Sequence, residues 1–455
     1  MTEHAVQKPP SVRKVAMAAS IGAAIEWYDF FIYGTAAALV FNQLFFSNLD
    51  PATGTIVAFG TFAAGYLSRP IGGLIFGHYG DRIGRKKMLV ATLGIMGVGT
   101  ALIGLLPTYE SAGIWAPIML VILRLVQGIG IGGEYGGAVL MAVEYAPKGK
   151  RGFYGSWPQT GVPAGLLMAS GVFALLALLP DAAFIAWGWR VAFLASTILV
   201  AIGLYIRMTV LETPAFAALR EQQEEVKIPF VKMLKTQPRE FFLAMGTRWI
   251  EGLTFNAYAV LMVSFIANNL GLSRSIALNG VVLAAAVGVV LVPIYGKISD
   301  KVGRKPVFNT GVALTAVVVA PVFWLVQTEN TYVIYAAITV GLGVVYMAVY
   351  APLATFWAEL FDTSVRYTGV GSVYQFSGIF ASGLTPLIGA ILINMNDGRP
   401  WYFVIYVVAV AGVSLICAKL LPETYQRDIM PTGASAQSEP LDNTNGVGQA
   451  SGEPA

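Results

Sequence analysis

The stretch Gly77-His78-Tyr79-Gly80-Asp81-Arg82-Ile83-Gly84-Arg85-Lys86 returns 219 positions later as Gly296-Lys297-Ile298-Ser299-Asp300-Lys301-Val302-Gly303-Arg304-Lys305. Both copies read G-x-x-x-D-[RK]-x-G-R-K, and both lie between long apolar runs. One charged, glycine-punctuated turn used twice marks a duplicated membrane chain. It also fixes which parts of the two halves correspond.

Working outward from the two turns, the composition agrees. The chain is 56% apolar and 12% charged, with a mean hydropathy of +0.67, against about 25% charged for a soluble domain. Runs of about 20 residues with few charges match a bilayer core of roughly 30 Å. In lipid such runs satisfy their own backbone only as helices. Twelve spans are expected, near 15–45, 53–78, 88–106, 114–144, 154–178, 187–208, 241–268, 277–297, 306–326, 331–358, 367–393 and 401–421. The domain plan is a short N-terminus (1–14), a six-helix half (15–208), a polar central loop (209–240), a second six-helix half (241–421) and a disordered tail (422–455) rich in Pro, Ser, Gly, Asn and Gln.

Charge gives the orientation. With the N-terminus inside, 23 of the 29 Lys and Arg fall on the cytoplasmic side. Only Arg190, Arg274 and Arg399 fall outside, and Arg69, Arg124 and Arg248 lie within spans. Both termini are therefore expected in the cytoplasm. The net charge of +4 needs no nucleic-acid partner to explain it. Met1 to Ser11 is polar, and the first apolar run continues for about 30 residues, so no cleaved signal peptide is expected. The single cysteine, Cys417, excludes a disulfide framework. No cluster of metal ligands, no Walker loop and no nucleophile–base pair is evident, so neither a metal, a cofactor nor an enzyme activity is expected.

The ionisable groups inside the spans carry the functional reading. Glu26, Asp29, Arg69, Arg124, Glu134, Arg248 and Glu251 lie in apolar surroundings. Each such charge costs on the order of 2.5–3.5 kcal/mol at a helix centre. At 1.5 Å per residue, Asp29 lies roughly 20 Å from one end of its span and Arg124 roughly 15 Å from the other end of its own. Both fall near mid-membrane, where they are expected to pair. Glu26, Asp29 and Tyr33 share one face of the first span. Arg124, Gln127 and Glu134 share a face of the fourth. Arg69 has a structural alternative, as a brace or a snorkelling residue. Glu134 has one as a packing contact among glycines. Glu144 and Glu359, with Arg151 and Arg366, are expected in salt bridges between loops.

The motifs resemble the major facilitator superfamily over about residues 15–425. The doubled loop is its signature, and Leu123-Arg124-x-x-Gln127-Gly128-x-Gly130 is similar to its second motif. Glu26-Trp27-Tyr28-Asp29-Phe30, Ser68-Arg69-Pro70-Ile71-Gly72-Gly73 and Gly132-Gly133-Glu134-Tyr135-Gly136-Gly137 resemble the metabolite:proton symporter branch, which includes permeases for shikimate, 2-oxoglutarate, citrate and proline/betaine. Runs such as Trp115-Ala116-Pro117-Ile118 and Trp187-Gly188-Trp189-Arg190 are most similar to the shikimate type. The resemblance implies an all-α integral membrane protein with the major facilitator fold, working by alternating access in the cytoplasmic membrane of a bacterium.

Roles follow as expectations. Asp29, with Glu26 as a second site and Arg124 as partner, couples a proton, because a carboxylate parted from its cation in a buried site takes one up. Arg124, Gln127, Glu134, Tyr33, Gln159, Arg248, Glu251, Tyr350 and Tyr374 form the substrate site, with arginine forks suited to a carboxylate. Gly77, Asp81, Arg82, Gly84 and Arg85, with Asp300, Gly303 and Arg304, form a conformational latch. In it the carboxylate pairs with an arginine or caps a helix N-terminus of the other half. The expected partners are a small organic acid, a proton and the lipid bilayer, with the protein acting as a monomer. A zwitterion permease for proline or betaine and a non-transporting nutrient receptor are the alternatives.

Overall fold

The computed structural model describes residues 12–83, 85–132, 140, 142–144, 146–210, 229–362, 365–427 and 429. Among the described residues, twelve helices fall within or overlap the expected spans, the fourth being described only as far as Ile131. In the first half they are α1 (Val12–Leu39), α2 (Pro51–Ile83), α3 (Arg85–Gly104), α4 (Trp115–Ile131), α5 (Arg151–Leu176) and α6 (Trp189–Val210). In the second they are α7 (Pro238–Asn269), α8 (Arg274–Val302), α9 (Arg304–Val326), α10 (Thr331–Leu360), α11 (Arg366–Asn394) and α12 (Trp401–Leu420). Among the described residues, eight helices are long and apolar enough to cross a membrane.

Local sequence sets where helices begin. Asp50 precedes Pro51, whose ring suits a first helical position. The Thr53 amide donates to its carboxylate at 3.0 Å, and the Thr53 hydroxyl and amide hold that carboxyl below its ordinary range. Asn330 caps α10 by accepting from the amides of Tyr332 and Val333. At the second loop copy Gly303 adopts a φ of 104°, a conformation open to glycine, and so turns the chain from α8 into α9.

The halves meet through α5, which packs on α1 and on α8. A Cβ on Gly152 would sit 2.5 Å from the Gly296 carbonyl oxygen, and one on Gly296 would sit 2.5 Å from the Gly152 carbonyl. Only glycine permits that approach. The end of the bundle carrying the Gly303 turn (the motif end) is closed by this contact. At the opposite end the Asn268 amide donates to the Ala38 carbonyl at 3.1 Å, and Arg274 pairs with Asp181 at 2.8 Å. The described halves therefore touch at both ends of the bundle.

Two expectations need correction. The central loop contains a helix, Pro229–Thr236, ahead of α7. Its short run between two prolines carries apolar residues on one side only, too few to register as a span. The tail is also not disordered from residue 422. Thr424 and Ile429 are buried at the motif end, and Glu423 and Arg427 bond there. This segment has no apolar period. Its order comes from polar groups on other helices, which the local pattern does not reveal.

Candidate functional site

Arg248 and Glu251 stand one turn apart on α7, both almost fully buried and in ion-pair contact. The Tyr346 hydroxyl donates to Glu251 Oε1 at 2.8 Å. The Arg248 guanidinium lies over the Tyr374 ring, 4.3 Å from its centre, a cation–π distance. Tyr346 stacks on Tyr350 with ring centres 5.5 Å apart, and the Tyr350 hydroxyl donates to Gln159 Oε1 of α5 at 2.9 Å. Arg248, Glu251, Tyr346, Tyr350 and Tyr374 wall a small central cavity between the halves, about 10 Å³ in volume, lined on its other side by Trp27 and Tyr66; Gln159 stands behind Tyr350, outside the wall. That is no more room than one water needs. A wider groove of about 470 Å³ beside Phe45, Tyr109 and Ile122 opens outward and has no charged group in its wall, so it has nothing to recognise an ion.

Three of the helices around this cavity break their regular turn. α7 carries π-turns at Ala257–Leu261 and Phe265–Asn269, α10 at Thr339–Val345 and α11 at Ile379–Gly383. Such turns shift the side-chain register and recur at functional sites. The turns at Ala257–Leu261 and Thr339–Val345 adjoin the cavity-wall residues Asn256 and Tyr346, and the turn at Ile379–Gly383 contains the wall residue Ser382.

A second polar group is buried in the first half. Asp29 does not pair directly with Arg124, contrary to expectation. Thr100 donates to Asp29 Oδ2 at 3.3 Å, Gln127 Nε2 donates to Thr100 at 2.8 Å, and Arg124 Nη1 donates to Gln127 Oε1 at 3.2 Å. Thr100 of α3 thus stands between the charges, which a depth estimate for α1 and α4 alone could not show. Arg124 is instead sandwiched by aromatic rings, 4.1 Å from Tyr33 and 4.6 Å from Phe30. Its Nε and Nη2, with Asp29 Oδ1, have no hydrogen-bond partner among the described residues. Tyr33 donates to Thr61 at 2.6 Å. Arg124, Gln127 and Tyr33 therefore belong to this group and not to the wall of the cavity. Glu26 is half-buried one turn before Asp29, within electrostatic reach of Arg69 and Tyr374.

The second loop copy builds a network at the motif end. Asp300 accepts from the first amides of α5, Gly152 at 2.7 Å and Phe153 at 2.8 Å. It thus caps a helix of the other half, where the dipole favours an anion. Arg304 bonds Asp300 at 2.8 Å and grips Glu359 through both Nε and Nη2, at 3.1 and 3.0 Å. Glu423 closes the start of α9, accepting from the amides of Arg304 and Lys305. The strand of chain that follows crosses to the first half, where Arg151 donates to the Arg427 carbonyl at 2.8 Å. Arg366 of the second half pairs with Glu144 of the first at 3.1 Å. The side chains of Gly77, Asp81, Arg82 and Arg85, and all of Gly84 and Glu134, lie outside the described residues.

Three residues at the site, Arg69, Trp27 and Tyr346, were not assigned to it from the sequence, although Arg69 was marked there as an intramembrane cation. Arg69 lies over Tyr66 at 3.9 Å and Phe30 at 4.4 Å, between the two buried groups. Its charge was visible, but its reach to Tyr66 and Tyr374 was not. Trp27 and Tyr346 enter the wall through the packing of α1 and α10 on α7.

Comparison with known proteins agrees with this architecture. The model of the Major Facilitator Superfamily matches residues 19–383. The shikimate transporter of Escherichia coli K12 is 38% identical over 416 residues, covering 90% of this chain and 95% of its own. The proline/betaine transporter of the same strain is 34% identical over 433 residues, covering 92% and 85%. Among solved structures, the crystal structure of a D-xylose-proton symporter superposes with a TM-score of 0.70 at 21% identity, covering 92% of this chain and all of the other, a likeness of fold. The chain is a transporter that belongs to the Major Facilitator Superfamily, in the metabolite symporter branch that its motifs resemble.

Proposed function

We propose that the protein imports a small organic acid of the shikimate kind together with protons. The observation that carries this reading is the buried Arg248 over Tyr374 in the wall of the only cavity among those described that lies between the halves. A guanidinium offers a planar fork to a carboxylate. The stacked tyrosines offer faces for a ring and hydroxyls for its substituents. The identity to a shikimate transporter supports the same substrate class.

Asp29 couples the proton. It is buried, one of its oxygens lacks a partner among the described residues, and no cation touches it directly. A carboxylate placed this way exchanges its proton when a conformational change brings water or Arg124 close. Release of that proton precedes the return of the unloaded protein, and Glu26 is a second site on the same face. Asp300, Arg304 and Glu359 latch the motif end, and the Asp81 copy does the same in the first half. Gly77, Gly84 and Gly303 let the turns close. The protein sits in a bacterial cytoplasmic membrane with both termini inside, as the basic residues of the loops require, and works as a monomer.

One observation favours the zwitterion alternative. The cavity offers Glu251 beside Arg248, with Trp27 and Tyr374 in edge contact at 6.4 Å, and such a set also suits a quaternary ammonium with a carboxylate. Uptake of labelled shikimate and of labelled glycine betaine into proteoliposomes with an inward proton gradient decides between them. The proposal expects concentrative shikimate uptake that a protonophore abolishes. Concentrative uptake of betaine with no shikimate uptake would replace it by the alternative.

A further inference from the structure

Along one face of α7, at spacings of four, Arg248, Gly252 and Asn256 line the central cavity. Asn256 is 1% exposed. Its Nδ2 donates to the Gly252 carbonyl at 2.9 Å. That bond settles which way the amide points, because a carbonyl can receive only from the NH2 group. Oδ1 is the end left over, and among the described residues it has no hydrogen-bond partner. A buried acceptor without a donor is costly, and native structures keep few of them. Gln375 Oε1 and Asn309 Oδ1 are unpartnered in the same sense, but neither lines this cavity.

Two features of the fold set this face. α7 leaves its regular turn immediately after Asn256, at Ala257–Leu261. Gly252 leaves the wall between the guanidinium and the amide without a side chain. A Cβ there would run into Ser382 Oγ of α11 and Arg248 Nη1.

Resting on the organic-acid reading, we infer that Asn256 Oδ1 accepts from a hydroxyl on the substrate's ring, and so selects hydroxylated acids over bare ones. What completes Oδ1 is a hydrogen-bond donor. An ionised carboxylate offers none, and the nitrogen of glycine betaine carries no hydrogen. A hydroxyl supplies one without bringing a second charge into a buried site. Arg248 and Asn256 are eight residues apart, roughly 12 Å along the axis at 1.5 Å per residue, and the long arginine side chain spans part of that. Asn268, farther along α7, marks the end opposite the motif. An acid held by both residues therefore lies with its carboxylate toward the motif end and its hydroxyl toward the other. The stacked rings of Tyr346 and Tyr350 stand in the same wall. A site built around a hydroxyl rejects the analogue that lacks it, because its acceptor is then buried without a partner.

The test is binding to the purified full-length protein by calorimetry, with shikimate and with cyclohex-1-ene-1-carboxylate, which keeps the ring and the carboxylate and lacks the hydroxyls. The wild type is expected to bind shikimate roughly 10- to 100-fold more tightly than the bare acid. Asn256→Ala is expected to weaken shikimate by about that factor and to leave the bare acid unchanged, so that the preference collapses. Shikimates each lacking one hydroxyl need no variant: one of them is expected to bind the wild type about as weakly as shikimate binds Asn256→Ala. This panel decides if Asn256→Ala does not fold. Equal binding of the two acids by the wild type overturns the inference. So does loss of both acids alike in a folded Asn256→Ala protein, or a panel in which no single hydroxyl matters. Binding of the bare acid without shikimate also overturns it, and leaves the acid reading standing. Binding of neither acid removes the acid reading itself, and this inference with it.

Discussion

The two halves share a loop motif and a helix plan, yet they bury charge in different ways. In the first half Asp29 and Arg124 are kept apart, joined only through Thr100 and Gln127, and the cation is covered by rings. In the second half Arg248 and Glu251 touch, and arginine and carboxylates meet again at Arg304, Asp300 and Glu359. A separated carboxylate is free to change its protonation state, whereas a carboxylate held by a cation stays ionised until something competes for the cation. The difference teaches that duplication supplied the frame. On the proposed reading, the chemistry is then divided, with proton release in the first half and substrate recognition in the second.

The largest expected effect breaks the first half. Asp29→Asn is expected to abolish accumulation against a gradient while leaving counterflow exchange in place, because a neutral amide cannot release a proton. Wild-type accumulation in this variant would move the coupling to Glu26. In the second half, Arg248→Lys keeps the charge and loses the fork. A charge-assisted hydrogen bond is worth about 1.5–3 kcal/mol, so the apparent KM for acids is expected to rise roughly 10- to 100-fold. Normal transport by both Arg248→Lys and Arg248→Ala would make the residue an anchor and leave Arg69 and Arg124 as the candidates for the acid.

The loop copies sharpen the comparison further. Asp300→Asn removes the anion that caps α5 and binds Arg304. A helix-terminal charge in a partly buried site is worth up to about 2 kcal/mol, so transport is expected to slow with insertion unchanged. Asp81→Asn is expected to slow it likewise. A defect in one and not the other would show that the copies no longer share a role. The smallest effect is expected at Glu423→Ala, which strips the cap from α9. A lost cap costs about 1 kcal/mol, read as a modest fall in the melting temperature of the purified protein at unchanged initial rates.

Much of this was legible in the residues. Turn chemistry at Gly303 is local, and apolar runs of bilayer length leave little choice but helices; the caps at Asp50 and Asn330 are local too, but were not read from the sequence. Arg248, Glu251, Tyr350 and Tyr374 were each marked by charge or ring in an apolar run, and the fold brings them to one cavity. What was not legible depends on three or more helices at once. Thr100 looks like any helix threonine until α3 places it between Asp29 and Gln127. The segment after α12 looks unfolded until Arg304, Arg366 and Arg151 are seen to hold it. The π-turns that aim Asn256, Tyr346 and Ser382 leave no mark in an apolar period.

The central claim is that acid and proton enter together. The most direct measurement is the pH of a weakly buffered suspension of proteoliposomes as shikimate is added, with labelled shikimate uptake followed in parallel. The account predicts that the outside turns alkaline as shikimate enters, that a protonophore dissipates the change, and that Asp29→Asn shows neither. Entry of labelled shikimate with no movement of protons would contradict it.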